Sequence, residues 1–382
     1  MNTFLEGGKI LTINEYIQNI QQEIGSGKPY EEYAYLFEDY KRYLESVIEQ
    51  HPRDIIAVCQ LAAVYMELRY SFDDSIKIME KALVQFENEL TDDEKVRLYT
   101  NLAFFYEENG DEEKQNTSLE KAVDLKPNTP NAYDALAVCL TTKAGYINTA
   151  SDFTAVLPLL EQAAKLSDEL RYQHNYAVAL YSAGNITNAK IIFEKLCHQD
   201  DSNMKAMYGL GVCSYCLCNI KTALDMANRL ANIDTGNDYV GDEVGESEIA
   251  ELFYQCGDYA NHNAMFDNCK IRYYYDASWL APYFYCLKIL GKDSALIQKH
   301  NEVVNSKKED IDDAKGEELN DSYTIEDRNE CVAKLQKELD DIEGAYRKIT
   351  QANYKPEVTP NLDFVYGCYL IDCPRHQRSA FF

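Results

Sequence analysis

The stretch Tyr99–Pro127 reads YTNLAFFYEENGDEEKQNTSLEKAVDLKP, and it decides how the chain folds. Its first half places aromatic residues at helical spacing on both sides of the small residue Ala103, and it ends at the turn signal Asn109-Gly110-Asp111. A second apolar series, with Leu119 and Ala122, follows the turn. Gly permits a tight turn after a helix, and a small residue lets two helices approach closely. The stretch therefore predicts two helices packed against each other.

The same pattern recurs along the chain. Small residues equivalent to Ala103 are spaced by 41, 34, 40 and 34 positions; they are Ala62, Ala103, Ala137, Ala177 and Gly211. The two longer intervals contain insertions, one near Asn88–Glu94 and one near Lys143–Asp152. Regular self-similarity of this kind is typical of stacked repeats, which admit insertions as loops.

A period of 34 residues with these small and turn positions resembles the tetratricopeptide repeat (TPR) family. About five repeats are recognisable between Asp54 and Asn232, and Tyr33–Gln50 resembles the second half of an additional one. The resemblance implies an all-α fold, namely a TPR-type α-solenoid of helix-turn-helix repeats with a degenerate helical C-terminal part.

We expect four segments: an N-terminal segment 1–29, repeats over 30–232, degenerate repeats or a helical cap with acidic loops over 233–350, and a tail over 351–382. Within the third segment the sequence predicts helices at Glu248–Cys256 and Trp279–Leu290, and a loop over Ser306–Asn320, which is charged and poor in apolar residues. A long helix capped at Thr324 follows. The apolar run Phe364–Ile371 predicts a strand-like tail docked on the solenoid.

Composition restricts the partners and the compartment. The 382 residues contain 37 Lys and Arg against 64 Asp and Glu, which gives a net charge of −27. This charge disfavours nucleic acid and anionic membranes, which are polyanions, and it is compatible with a basic protein. The N-terminus lacks the pattern of a secretory signal, and no apolar run is long enough to span a membrane. The twelve cysteines therefore predict reduced, mostly buried thiols in a cytoplasmic protein.

TPR arrays bind extended or helical peptides with the residues of their first helices, so the resemblance implies a concave groove at these positions. The partner-binding residues that we expect to matter most are Arg97, Asn101, Phe104, Arg171, His174, Asn175, Lys205, Tyr208 and Tyr215. Further positions of the same groove are Thr100, Glu107, Asn131, Asp134, Val138, Thr141, Val178, Tyr181 and Val212. The two asparagines suit bidentate contacts to a peptide backbone, and the basic residues suit a carboxylate.

Two groups of cysteines deserve consideration as metal ligands. Cys213, Cys216 and Cys218 lie at the end of a repeat helix, where packing in the core is the favoured interpretation. Cys368, Cys373 and His376 lie in the tail but lack a fourth ligand, whereas a structural zinc site has four. The sequence therefore predicts no metal and no cofactor, and leaves open whether the second group binds an ion.

The sequence favours a non-catalytic scaffold or adaptor, since no GxSxG, HExxH or phosphate-binding glycine loop occurs. The protein or peptide partner would lie in the groove. One alternative is an acidic neutralising protein, such as an immunity protein or inhibitor of a basic toxin or nuclease; acidic patches at Asp242–Glu251 and Glu107–Glu113 on the binding face would favour it. A second alternative is a peptide-sensing regulator. The oligomeric state is left open.

Overall fold

The computed structural model describes residues 11–143, 150–233, 244–268, 276–319, 323–352 and 354–376. Their regular secondary structure consists of α-helices: α1 (Ile13–Gly25), α2 (Tyr30–Gln50), α3 (Ile55–Glu67), α4 (Phe72–Phe86), α5 (Asp92–Glu108), α6 (Glu112–Asp124), α7 (Asn131–Lys143), α8 (Ala150–Leu166), α9 (Leu170–Ser182), α10 (Ile186–Gln199), α11 (Met204–Cys216), α12 (Ile220–Ala231), α13 (Glu246–Gln255), α14 (Tyr259–Asn268), α15 (Ala277–Ile289), α16 (Asp293–Gly316) and α17 (Ile325–Ala352). The predicted fold class, an all-α solenoid of helix pairs, is confirmed. No helix in the described ranges is both long and apolar enough to cross a membrane.

The Tyr99–Pro127 stretch forms the helix pair that its sequence predicts. Thr91 caps α5, and its hydroxyl and backbone N–H form a reciprocal capping box with Glu94. Gly110 has a φ of +76°, a backbone conformation that glycine adopts without steric cost, and it makes the turn at the predicted place. Asp111 then caps α6 by accepting a hydrogen bond from the N–H of Lys114. Local capping and one glycine thus set both boundaries of the turn.

The chain divides into two compact units. Unit 1 comprises Met1–Asn185 together with Asp363–Phe382, and unit 2 comprises Ile186–Leu362. The segment boundaries expected from the sequence refer to repeat content and stay a prediction. The repeat insertion expected near Lys143–Asp152 includes residues 144–149, which lie outside the described residues.

In unit 1 the small repeat residues lie between helices, as predicted. Ala62, Ala103, Ala137 and Ala177 are fully buried. The N-terminal region contains one more helix than expected: α1 precedes α2, and its buried residues Tyr16, Ile17 and Ile20 join the core around Phe37 and Tyr40. The leading half repeat is therefore accompanied by a first helix, whose signal was the capping box between Thr12 and Glu15.

Unit 2 contains α10 to α17 and the segment up to Leu362. The predicted helices at Glu248–Cys256 and Trp279–Leu290 are present as α13 and α15, and Thr324 caps the predicted long helix α17. The predicted loop over Ser306–Asn320 is wrong, because α16 continues to Gly316. Val304, Ile311 and Ala314 recur at helical spacing and are buried, and the first two pack against Leu339 of α17. A few apolar residues are enough to hold a charged segment in a packed helix when they share one face of that helix.

Candidate functional site

An extended segment of the chain lies against the first helices of the unit 1 repeats. We call Asp363–His376 the docked tail, and the side of α3, α5, α7 and α9 that contacts it the tail-binding face. The tail contains no regular secondary structure, yet several of its apolar side chains are buried. These side chains are Phe364, Val365, Tyr369, Leu370 and Cys373. Leu370 and Cys373 belong to the same apolar cluster as the core residues of α3 and α5.

Two asparagines hold the tail backbone in the same way. The side-chain amide of Asn101 on α5 donates to the carbonyl of Ile371 at 3.2 Å, and its oxygen accepts from the N–H of Ile371 at 2.7 Å. Asn175 on α9 donates to the carbonyl of Val365 at 3.0 Å and accepts from its N–H at 2.7 Å. Each side chain satisfies both polar groups of one residue, as a neighbouring β-strand would do.

A buried carboxylate fixes the second of these asparagines. Asp134 of α7 accepts a hydrogen bond from the Asn175 amide at 2.9 Å and lies 3.5 Å from the Arg171 guanidinium. Burial raises the pKa of Asp134, while Arg171 and the hydrogen bond from Asn175 oppose that shift. Asp134 therefore acts as a positioning residue, because it orients Asn175 and Arg171 toward the tail.

The tail carbonyls are contacted in a regular order along the helices. His174 and Arg171 of α9 donate to the carbonyls of Asp363 and Cys368, at 3.1 Å in both cases. Asn131 of α7 donates to the carbonyl of Tyr369 at 3.2 Å. The tail thus runs against the order of the helices, from α9 through α7 and α5 to α3.

Ion pairs hold the part of the tail that lies on α3 and α5. Arg97 pairs with Asp372, and Gln60 donates to the carbonyl of the same residue. Arg375 forms a bidentate pair with Glu67, with distances of 2.9 and 2.5 Å. Bidentate Arg–carboxylate pairs are the stronger and more geometrically specific ones.

One aromatic side chain of the tail enters a polar and aromatic pocket. The ring of Tyr369 meets Phe104 edge to face, with centroids 5.4 Å apart. Its hydroxyl donates to Glu107 at 2.7 Å and accepts from Gln115 at 3.4 Å. Burial and the Glu107 carboxylate both raise the pKa of Tyr369, so the phenol stays protonated and keeps donating.

Six of the nine expected partner-binding residues are brought together at this face; they are Arg97, Asn101, Phe104, Arg171, His174 and Asn175. The other three, Lys205, Tyr208 and Tyr215, lie on α11 of unit 2, where Tyr208 is buried and the other two are half-buried. Their role stays a prediction. Sequence reasoning missed Gln60 and Glu67, although Ala62 between them marks α3 as the first helix of a repeat.

The two cysteine groups differ in the structure. Cys213 is buried as expected, but the core interpretation is wrong for Cys216 and Cys218, which are exposed at the end of α11 and in the turn after it. In the tail, Cys368, Cys373 and His376 place one potential ligand atom each within 4.8 Å of one another. None of the eleven described cysteines forms a disulfide within the described ranges.

A family model described as "Tetratricopeptide repeat" matches residues 96–129, which contain most of α5 and all of α6. The chain contains a tetratricopeptide repeat at these residues. The match covers the repeat that supplies Arg97, Asn101 and Phe104 to the tail-binding face. A search of curated proteins found no match.

Solved TPR proteins are similar to parts of the chain at low sequence identity. YrrB, described as a TPR protein with an unusual peptide-binding site, is 18% identical; the match covers 51% of this chain and 93% of YrrB, with a TM-score of 0.42. Pseudomonas aeruginosa PilF is 18% identical; the match covers 56% of this chain and 91% of PilF, with a TM-score of 0.41. A TPR protein from Parabacteroides merdae is 10% identical; the match covers 71% of this chain and 96% of that protein, with a TM-score of 0.40.

Proposed function

We propose that this TPR protein is a non-catalytic scaffold whose tail-binding face binds an extended segment of a partner protein, and that the docked tail is an internal occupant which the partner displaces. The observation that carries the proposal is the pair of bidentate contacts from Asn101 and Asn175 to the backbone of the tail. Contacts to backbone groups do not depend on the side chains of the bound segment, so the same face suits other extended segments.

Side-chain contacts define the class of segment that would compete with the tail. Phe364 and Val365 form one buried apolar pair, and Tyr369 and Leu370 form a second pair five positions later. Asp372 then provides the carboxylate that pairs with Arg97. A partner segment of the same chemistry has two apolar pairs separated by three residues, an aromatic residue at the start of the second pair, and an acid two residues after that pair.

The attached tail sets a threshold for the partner. A tail on the same chain competes at an effective concentration that reaches the millimolar range for short flexible connections. The apparent affinity for a partner equals the intrinsic affinity multiplied by the fraction of molecules whose tail is released, so a small released fraction weakens binding. The tail therefore selects against weak extended ligands and makes partner binding depend on conditions that release it.

The acidic alternative has less support. Glu107 of the patch Glu107–Glu113 accepts a hydrogen bond from the tail, while Asp242 and Glu243 of the other patch lie outside the described residues. A neutralising role toward a basic protein and a peptide-sensing role both stay predictions. A cytoplasmic location also stays a prediction.

The test uses the full chain with a released tail. Val365→Pro together with Ile371→Pro removes the two backbone N–H groups that donate hydrogen bonds to Asn175 and Asn101. A fluorescein-labelled peptide of residues 363–376, with serine at positions 368 and 373, serves as the probe in an anisotropy titration. We expect the released variant to bind the probe at least tenfold more tightly than the wild-type chain.

Two controls make the outcome decisive. Val365→Ala with Ile371→Ala keeps both N–H donors, so this variant should take up the probe less readily than the proline variant. Adding Asn175→Leu to the proline variant should abolish the gain while far-UV circular dichroism stays unchanged. Equal probe affinity in the wild-type and proline-substituted chains, with the tail shown to be released by amide exchange, would refute the proposal.

A further inference from the structure

The end of the docked tail brings three ligand-type side chains together. The Sγ atoms of Cys368 and Cys373 and a ring nitrogen of His376 lie within 4.8 Å of one another. Cys373 Sγ and His376 Nδ1 are 3.3 Å apart. The spacing CxxxxCxxH on a short irregular segment is compatible with a compact set of ligands, because loop backbone can converge on one point where a helix cannot.

The tail-binding face shapes the loop that carries these ligands. Asp372 has a φ of +60°, and this left-handed residue turns the backbone between the two cysteines. Asn101 holds Ile371, and Gln60 and Arg97 hold Asp372. The ligand set is thus preorganised by contacts outside it, which lowers the entropic cost of binding an ion.

Burial leaves one side of the cluster open. Cys373 is 3% exposed and Cys368 is half-buried, whereas His376 is exposed. Three protein ligands with an accessible fourth position are the arrangement of open zinc sites, in which water completes the tetrahedron. Closed structural sites need a fourth protein ligand, and the described residues supply none within this cluster.

We propose that Cys368, Cys373 and His376 bind Zn²⁺ through two thiolates and the Nδ1 atom of a neutral imidazole, with water at the fourth position. Each thiol releases its proton to solvent when it ligates the ion. Zn–S and Zn–N bonds of about 2.3 and 2.0–2.1 Å place tetrahedral S and N ligands roughly 3.6 Å apart, and two S ligands roughly 3.8 Å apart. The observed spacing needs only small side-chain adjustments to reach these values. Soft thiolates favour zinc over magnesium or calcium.

The site gives the tail a chemical control. Zinc ties Cys368 to Cys373 and His376, and this loop lies on α3 and α5 only when the tail is docked. By linkage, an ion that prefers the docked conformation stabilises it, and a partner segment that displaces the tail weakens zinc binding. This coupling rests on the proposed function, whereas the zinc site itself does not.

The test for metal binding uses the reduced, metal-free full chain, titrated with Co²⁺ as a spectroscopic probe and then with Zn²⁺. We expect one Co²⁺ per chain at this site, with thiolate-to-cobalt charge-transfer bands and the intense d–d bands of a tetrahedral ion, both removed by one equivalent of Zn²⁺. Cys373→Ser should abolish the charge-transfer bands, and His376→Gln should weaken zinc binding at least tenfold. Cys216→Ser with Cys218→Ser, on the exposed end of α11, is the matched control and should change nothing.

The outcomes separate the zinc site from the proposed function. The site would be overturned if the bands persist in Cys368→Ser and Cys373→Ser, or if the reduced chain binds no ion. It would also be overturned if Cys368 and Cys373 are found only as a disulfide. For the coupling, the serine-substituted probe peptide should bind the wild-type chain at least fivefold more weakly after one equivalent of Zn²⁺. If the ion binds but the affinity for the probe does not change, the zinc site stands and its link to the tail fails.

Discussion

Asn101 and Asn175 make the same pair of hydrogen bonds to two residues of one extended segment, Ile371 and Val365. The two tail residues are six positions apart, which corresponds to about 20 Å of extended backbone. The asparagines lie on α5 and α9, the first helices of repeats separated by one further repeat. Two steps between neighbouring first helices, at roughly 10 Å each, span the same length. Between the two asparagines, the tail therefore advances by three residues per repeat on average.

Replacing each asparagine by aspartate should distinguish their surroundings. Asn175→Asp would place a second carboxylate 2.9 Å from Asp134, where the amide now donates. Because both groups are buried, we expect a loss of about 3 kcal/mol in unfolding free energy. Asn101→Asp also buries a carboxylate and loses the hydrogen bond to the Ile371 carbonyl, but the new charge lies one helical turn from Arg97 and not beside another acid, so we expect a smaller loss of about 1–2 kcal/mol. Urea unfolding of both variants measures the difference, and equal losses would contradict the role assigned to Asp134.

The pair between Arg97 and Asp372 lends itself to a charge exchange. Asp372→Arg puts two cations in contact and should release the end of the tail, which amide exchange of Ile371 would report as faster exchange. Arg97→Asp combined with Asp372→Arg restores opposite charges and should recover most of the protection. The coupling between the two substitutions is expected to be about 1 kcal/mol, since both side chains are partly exposed. Failure of the double variant to recover any protection would mean that the pair does not hold the tail.

Gly367 faces Arg171 closely enough to test how rigidly that arginine is held. A Cβ atom on Gly367 would lie 2.5 Å from Arg171 Nη1 and 3.4 Å from its Cδ. Arg171 also contacts Asp134, Tyr172 and the carbonyl of Cys368, so it cannot move without losing bonds. We expect Gly367→Ala to lower the unfolding free energy, measured by urea unfolding, by about 1–3 kcal/mol. In an Arg171→Ala background the same substitution should change the unfolding free energy little. An undiminished loss in that background would mean that the added Cβ atom does not clash with Arg171.

The sequence predicted the repeats and much of the site because both depend on local, periodic signals. Ala62, Ala103 and Ala177 mark the first helices, and counting from them identifies Asn101 and Asn175 as residues of one face. The run Phe364–Ile371 is docked on unit 1 as predicted, but it forms no β-strand. Its contact with those asparagines could not be predicted, because the partners are 190 and 270 positions apart and no local pattern records such a pairing.

Two other errors have equally physical causes. The charged segment after Ser306 was expected to be a loop because its composition is polar, but helix formation depends on where the apolar residues lie. Ile311 and Ala314 share one face and pack, so α16 continues through the charged segment. Gln60 and Glu67 were not considered because the groove positions were assigned from the Tyr99 repeat onward, although α3 repeats the same pattern.

Ala103 tests the repeat register in the core. It is fully buried in a cluster with Leu119 of α6 and Leu136 of α7. Ala103→Leu would add three carbon atoms to this packed space, and we expect it to reduce the unfolding free energy by about 1–3 kcal/mol. Val84→Leu on α4 is the control, because Val84 is 80% exposed and the change should stay within about 0.5 kcal/mol. Similar melting temperatures for both variants would show that Ala103 does not lie at a tight helix contact.

A buried histidine in unit 2 makes stability depend on pH in a defined direction. His262 on α14 donates from Nδ1 to the carbonyl of Ala250 on α13 at 2.8 Å, and burial lowers its pKa from 6.5 to about 4. The unfolded chain therefore takes up a proton near pH 6.5, while the folded chain does so only near pH 4. The contribution of neutral His262 is complete above pH 6.5 and is lost as the pH falls toward 4.

For this histidine, the expected loss between pH 8 and pH 5 is about 2 kcal/mol. His262→Asn keeps a donor but does not titrate, so the stability difference between wild type and variant should shrink by that amount at pH 5, with the other titrating groups cancelling in the comparison. Proton NMR of the imidazole provides a direct check, since the His262 ring signals should not shift between pH 8 and pH 5. A midpoint near pH 6.5 would show that the ring is hydrated and that its burial between α13 and α14 is wrong.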